Sequence, residues 1–172
     1  ELHAAGEIPK WRDEDYGIAR RWGAAPLFKM ERGAVPLFGL PAYGVHVNGL
    51  VRGSEGLRLW VGKRAANKSV APGKLDHLIA GGQPYGLGLQ ENVIKEAGEE
   101  ASVPVELAAQ ARPVGALRYI CARPEGLRND VAFCFDLELP PALDPQPDSV
   151  EVERCTLWPV TDVLPRIRET DA

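Results

Sequence analysis

The residues best suited to chemistry in this chain are three glutamates, Glu96, Glu99 and Glu100, within the run Leu89 to Ala101. Their spacing of i, i+3 and i+4 puts all three carboxylates on one face of a helix. Apolar Leu89, Val93 and Ala97 recur at the period of that helix, and Glu91 stands four residues before Lys95, the favourable order for a helical ion pair. The acidic face nevertheless works against local stability. Like charges at this spacing cost roughly 0.2–0.5 kcal/mol per pair, the helix dipole disfavours negative charge near a C-terminus, and Gly98 costs about 1 kcal/mol relative to alanine. Such a concentration of local conflict is expected where a sequence serves a function. A divalent cation would relieve it: Mg²⁺ takes hard oxygen ligands, commonly carboxylates together with substrate phosphates and water. On spacing alone, the same three residues are equally a solvated acidic face.

The elements that must position this helix can be read from periodicity. Gly81-Gly82 ends a short strand predicted from Leu75 to Ala80, and Gln83 to Gly88 is a glycine-rich loop leading into the helix. Upstream, Val45 to Arg52 and Leu57 to Val61 alternate about a turn at Gly53 to Gly56, which predicts a hairpin. Downstream, a short helix is predicted from Pro104 to about Ala111, strands at Pro113 to Ala122, Asp130 to Leu139 and Val152 to Trp158, and a closing helix near Thr161 to Arg168. Residues 1–43 read as an extension packed on the core, with a helix predicted from Asp13 to Trp22. Residues 44–172 form the main domain. The fold class is α/β, with helices packed around a mixed sheet.

Composition narrows the function classes. The chain has 172 residues, 45% hydrophobic and 26% charged, enough to bury the core of one ordinary globular domain. A net charge of −4 argues against a nucleic-acid backbone binder. No apolar run approaches a membrane span, and the start shows no signal-peptide pattern. Cys121, Cys134 and Cys155 lack metal-binding spacing and read as small buried thiols, so a reducing, cytoplasmic setting is expected.

The segment from Gly81 to Val103 resembles the Nudix box, Gly-x5-Glu-x7-Arg-Glu-U-x-Glu-Glu-x-Gly-U, where U is aliphatic. Gly81 falls on the first Gly, Lys95-Glu96 on Arg-Glu, Glu99-Glu100 on Glu-Glu and Val103 on the last aliphatic. Leu87 stands in place of the first Glu, Lys95 in place of Arg and Ser102 in place of the last Gly. Further segments, among them Trp11-Arg12, Met30-Glu31-Arg32, Leu37-Phe38-Gly39, Tyr43 to Gly49 and Asp136 to Pro140, are similar to Nudix proteins related to the domain fused ahead of thiamine pyrophosphokinase in some fungi.

The resemblance implies a Nudix-type α/β/α sandwich and metal-dependent hydrolysis of a diphosphate linkage. Glu96, Glu99 and Glu100 would hold Mg²⁺ or Mn²⁺, and Glu99 or Glu100 would serve as the general base, with Glu151 as a candidate outside the box that reads first as a surface glutamate beside a strand. Gly81 and Gly82 would set the loop geometry. Lys63, Arg64 and Lys68 are candidates to hold the diphosphate, and Trp60 and Tyr119 to form an aromatic wall; solvated-loop and core-packing roles are the respective alternatives. His46 on its strand reads as a buried, hydrogen-bonded histidine, with a catalytic role as the alternative, and Asp76, beside His77, as a group that orients the loop. The implied substrate is thiamine diphosphate or an oxidised analogue. The alternatives are a nucleoside diphosphate derivative such as an ADP-ribose-like compound or dinucleotide, or a Nudix-fold sensor that binds without turnover. The expected partners are a small-molecule diphosphate and, for assembly, a second copy in a homodimer, with neither nucleic acid nor membrane.

Overall fold

Alternating burial along one long strand organises the molecule. The computed structural model describes residues 1–8, 11–67, 71–147 and 152–169. In strand β3 (Pro41–Gly53), Val45, Val47 and Val51 are fully buried while their neighbours are only partly so, the signature of a strand with one face on a core. Five strands precede or follow it closely: β1 (Asp15–Ile18), β2 (Phe28–Glu31), β4 (Gly56–Arg64) and the pair β5 (Leu75–Asp76) and β6 (Ile79–Gly82). After helices α1 (Leu89–Ala101) and α2 (Val105–Ala108) come β7 (Arg112–Arg123), β8 (Gly126–Glu138), β9 (Val152–Pro159) and helix α3 (Val160–Ile167).

Strands β3 to β9 make a seven-stranded mixed sheet. Strand β3 runs parallel to β8 on one edge and antiparallel to β4 on the other. Strands β7 and β8 extend the sheet as a hairpin, and β9 covers the far edge of β4. Strands β3 and β4 stay paired only from the turn to Gly49 and Trp60. Beyond that point they part, and β5 and β6 fill the opening, β5 on β4 and β6 on β3. The segment 75–80 is therefore two short strands, because His77 and Leu78 carry the chain across the opening. Leu78 packs there against Gly49, where any Cβ would overlap it.

Helix α1 lays Val93, Ala97 and Ala101 into the core with Val45, Val47, Phe135 and Leu137. Its C-cap, Ser102, has φ 51°, in the left-handed region. This explains why glycine is usual at that place in the Nudix box; here the Ser102 hydroxyl donates to the Gln146 carbonyl at 3.3 Å. Glu91 does not reach Lys95. It turns back to accept the Gly88 N–H at 2.8 Å, capping the helix start.

The N-terminal region corrects one expectation. The helix predicted over Asp13 to Trp22 is absent, and β1 pairs antiparallel with β2 instead. Tyr16 and Ile18 alternate into a small second core with Val35, and Gly17 between them is a poor helix former. A 3₁₀ helix, Arg32–Phe38, follows β2. Its cap is Glu31, a buried carboxylate that accepts N–H groups from Arg12 at 2.9 Å, Glu14 at 3.3 Å and Gly33 at 3.0 Å.

Gly98 is exposed in the middle of α1, and a Cβ there meets nothing within 4 Å. Gly98→Ala is expected to stabilise the fold by about 0.5–1 kcal/mol, a rise of roughly 1–4 °C in Tm by calorimetry.

Candidate active site

A cleft of about 990 Å³ brings the three glutamates together with residues from β3, β5, β6, β7, β8 and the N-terminal region. Each glutamate is held differently. Glu96 is buried, its carboxylate lying against Gly81 so closely that a Cβ on that residue would overlap it. Glu100 is half-buried and accepts the Ala80 N–H at 2.8 Å. Glu99 is exposed. The Lys95 ammonium bridges two of them, 3.1 Å from Glu96 Oε1 and 2.8 Å from Glu99 Oε2. Burial raises the Glu96 pKa, and the hydrogen bond from Lys95 acts against that. Among the described residues, no three acidic, histidine or cysteine side chains form a ready-made metal cluster. The donor set still suits a hard divalent ion: the carboxylates share one helical face and one cleft, and a cation already sits between two of them.

The strand and loop that precede α1 are fixed from both sides. Asn92, fully buried on α1, donates to the Gly82 carbonyl at 2.8 Å and to Gln83 Oε1 at 3.1 Å. Gln83 in turn donates to the Leu87 carbonyl at 2.6 Å. These two amides span the loop in which Leu87 replaces the usual glutamate. From the other side, Tyr85 N–H donates to the Asp15 carbonyl at 2.8 Å, and Lys29 lies 5.1 Å from the centre of the Tyr85 ring. The glycine-rich loop is thus braced by both α1 and β1.

The opposite wall is cationic and aromatic. The Tyr16 hydroxyl and the Arg32 guanidinium press on Gly82, whose missing Cβ would overlap the former and lie 3.3 Å from Arg32 Cζ. Burial, only partly opposed by nearby Arg32, pushes the Tyr16 pKa up to about 12, so the hydroxyl keeps its proton. Arg128 donates twice to Asp130 Oδ2, at 2.8 and 2.6 Å, and Tyr119 donates to the same oxygen at 2.9 Å. Asp76 accepts from Arg64 and from its neighbour's backbone, His77 N, at 2.9 Å. Burial raises the Asp76 pKa, but the bonds from His77 and Arg64 outweigh it and bring it down to about 2.

The sequence-derived candidates divide accordingly. Glu96, Glu99, Glu100, Gly81, Gly82, Arg64 and Tyr119 all line the cleft or abut a residue that does. Trp60 does not: its place in the alternation of β4 sets it over Gly49 on the inner face, where it is part of the core. Lys63 points away into a surface pair with Glu153 at 2.8 Å. Lys68 and Glu151 lie outside the described residues. Sequence reasoning overlooked Tyr16, Arg32, Arg128, Gln83 and Asn92. The Met30-Glu31-Arg32 segment already carried family resemblance, and Asn92 is a polar residue directly beside the apolar stripe of α1.

His46 faces the cleft from β3, its ring 4.5 Å from that of His77, and its buried Nδ1 has no hydrogen-bond partner among the described residues. Burial first, then His77, pushes its pKa down to about 4. An unfolded imidazole titrates near 6.5, so the unfolded state binds the proton more readily between these values. The stability that depends on neutral His46 is full above about pH 6.5 and is lost as the pH falls toward about 4. His46→Gln should flatten the stability profile across that window, as read by urea titrations at successive pH values; an unchanged slope would contradict the assignment.

Comparisons with known proteins agree with this architecture. A family model described as a domain of unknown function (DUF4743) matches residues 1–42. Two Arabidopsis thaliana proteins, named Nudix hydrolase 20, chloroplastic, and Nudix hydrolase 24, chloroplastic, are 42% and 43% identical over 165 residues. The alignments cover 96% of this chain but 44% and 45% of those proteins, so the chain spans less than half the length of the relatives it matches. Among solved structures, DR0079 from Deinococcus radiodurans superposes with a TM-score of 0.67 at 19% identity, covering 90% of this chain and 88% of that one. A Nudix hydrolase from Alicyclobacillus acidocaldarius gives 0.56 at 13% identity, over 76% and 84% of the two chains. The chain thus shares the fold of solved Nudix structures and is similar in sequence, along nearly its whole length, to part of two proteins named Nudix hydrolases.

Proposed function

We propose that the chain is a metal-dependent pyrophosphohydrolase, on one observation above all: Glu96, Glu99 and Glu100 of the Nudix box share a cleft with an arginine-rich wall. Glu96, Glu99 and Glu100 would hold the divalent ion, Mg²⁺ or Mn²⁺. Such an ion supplies neutralisation of phosphate charge and lowers the pKa of water. The chain's own residues do the rest. Arg64, kept in place by Asp76, presents charge toward the diphosphate. A glutamate takes the proton of the attacking water as its oxygen bonds to phosphorus and the P–O bond to the bridging oxygen breaks. Glu99 and Glu100 stand within the cleft for that role, with Glu151 as the candidate outside the Nudix box.

For the substrate we favour thiamine diphosphate or an oxidised analogue, on the sequence resemblance and on the aromatic surface of Tyr119 at the cleft. With Trp60 in the core, Tyr119 is the aromatic candidate that remains. An ADP-ribose-like compound or a dinucleotide is the competing substrate class, and a ligand sensor without turnover is the competing function. The same reading treats residues 1–43 as an extension of the Nudix domain at 44–172 that shares its cleft. It also includes a homodimer: β7 is the outer strand of the sheet, with Val114, Leu117 and Ile120 exposed. The three free thiols support a reducing compartment, such as the cytoplasm. Among the described residues no helix is long and apolar enough to cross a membrane.

Glu100→Gln should abolish Mg²⁺-dependent phosphate release and leave the melting temperature nearly unchanged; undiminished turnover would sink the assignment. A hydrolysis screen should show release from oxothiamine or oxythiamine diphosphate. Cleavage of ADP-ribose or a dinucleotide in their place would transfer the reading to that class, and metal-dependent binding without release would identify a sensor.

A further inference from the structure

We propose that Arg32 binds the diphosphate, so that the N-terminal extension supplies a working part of the cleft. The proposal deepens the hydrolase reading and rests on it, since a diphosphate is the ligand that reading implies. The buried carboxylate of Glu31 gathers backbone N–H groups from Arg12, Glu14 and Gly33, fixing the turn that carries Arg32. The Arg32 N–H then donates to the Glu14 carbonyl at 2.8 Å. Its side chain crosses the Tyr16 ring, 5.8 Å from the centroid, and comes to rest over Gly82. Gly82 is next to Gly81, against which Glu96 lies. A guanidinium is thereby held beside the candidate metal ligands.

The hydrogen-bonding of Arg32 leaves capacity for a ligand. Its Nη1 donates to Glu14 Oε2 at 2.9 Å, and no other side-chain bond engages it among the described residues. The side chain is 42% exposed, and none of its nitrogens is a buried atom without a partner. The remaining N–H donors therefore open onto the cleft, in the planar fork that matches two oxygens of a phosphate. Two other cations of the cleft are more fully engaged: Arg128 donates two hydrogen bonds to Asp130, and Lys95 spans two glutamates. Glu14 is the lone carboxylate paired with Arg32 among the described residues.

The test uses methylenebisphosphonate, a diphosphate that cannot be hydrolysed, titrated by calorimetry into the Mg²⁺-loaded protein. Arg32→Gln should weaken binding about tenfold or more, as expected for loss of charge-assisted hydrogen bonds. Arg32→Lys should restore part of the loss, because it keeps the charge without the fork. Glu14→Gln separates ligand binding from a structural strut: it breaks the same ion pair yet should leave binding intact or tighter. Mn²⁺ affinity, measured alone, should change little in Arg32→Gln. Binding by Arg32→Gln equal to wild type would overturn the proposal. So would a loss in Glu14→Gln as large as that in Arg32→Gln or, if Arg32→Gln unfolds, as large as that in Arg32→Lys. A wild-type protein that hydrolyses diphosphates while Arg32→Gln binds normally would refute only the role of Arg32; one that neither binds nor hydrolyses would refute the hydrolase reading as well.

Discussion

The close approach of side chains to the backbone at Gly81 and Gly82 is the constraint on which the cleft depends. Glu96 occupies the space where the first would carry a Cβ, and Tyr16 with Arg32 occupies the corresponding space at the second. Two adjacent residues at the end of one short strand thus let the acidic wall and the basic wall come close together. Any side chain here would push apart charges whose nearness is the basis of the site. The tolerance is small because the contacts are not with flexible tips alone: Glu96 and Tyr16 are both buried.

This constraint explains why so much surrounding structure serves to hold β6 still. The strand has only four residues and would be weak alone. It is paired along β3, anchored by Asn92 at the Gly82 carbonyl, and bonded by Glu100 through the Ala80 N–H. One candidate metal ligand therefore also fixes the strand. Its carboxylate can shift toward a cation only while Asn92 and the pairing to β3 keep the backbone in place. The side-chain N–H groups of the buried amides Asn92 and Gln83 are spent on each other and on the loop, while Asn92 Oδ1 has no hydrogen-bond partner among the described residues.

The sequence was informative where a single period dominated. The hairpin of β3 and β4, helix α1 and the paired strands β7 and β8 were legible because their apolar residues repeat at 2 or 3.6 positions. The Glu96, Glu99 and Glu100 face was legible for the same reason, as spacing along one helix. What escaped were features made by contact between distant segments. Tyr16 and Ile18 lie in a stretch with a plausible helical cap, and only pairing with β2 reveals the strand. Trp60 is as suitable for a ligand wall as for a core, and the register against Gly49 decides between them. Arg32 looks like any surface arginine until the 3₁₀ turn delivers it to Gly82. The break between β5 and β6 depends on where β3 and β4 diverge, a matter of twist and register that no local pattern encodes.

The parallel pairing of β3 with β8 has a kinetic consequence. Asn48 donates to Asp136 across 88 positions of chain, and the helix that carries the glutamates lies within that loop. Closing so long a loop must precede the contacts that reward it, which slows folding. The cleft draws on β1, β3, β6, α1 and β8, so none of its walls can mature before this closure. Partly folded chains will thus hold neither half of the site, and recovery of ligand binding during refolding should follow the slowest topological step rather than the early formation of α1.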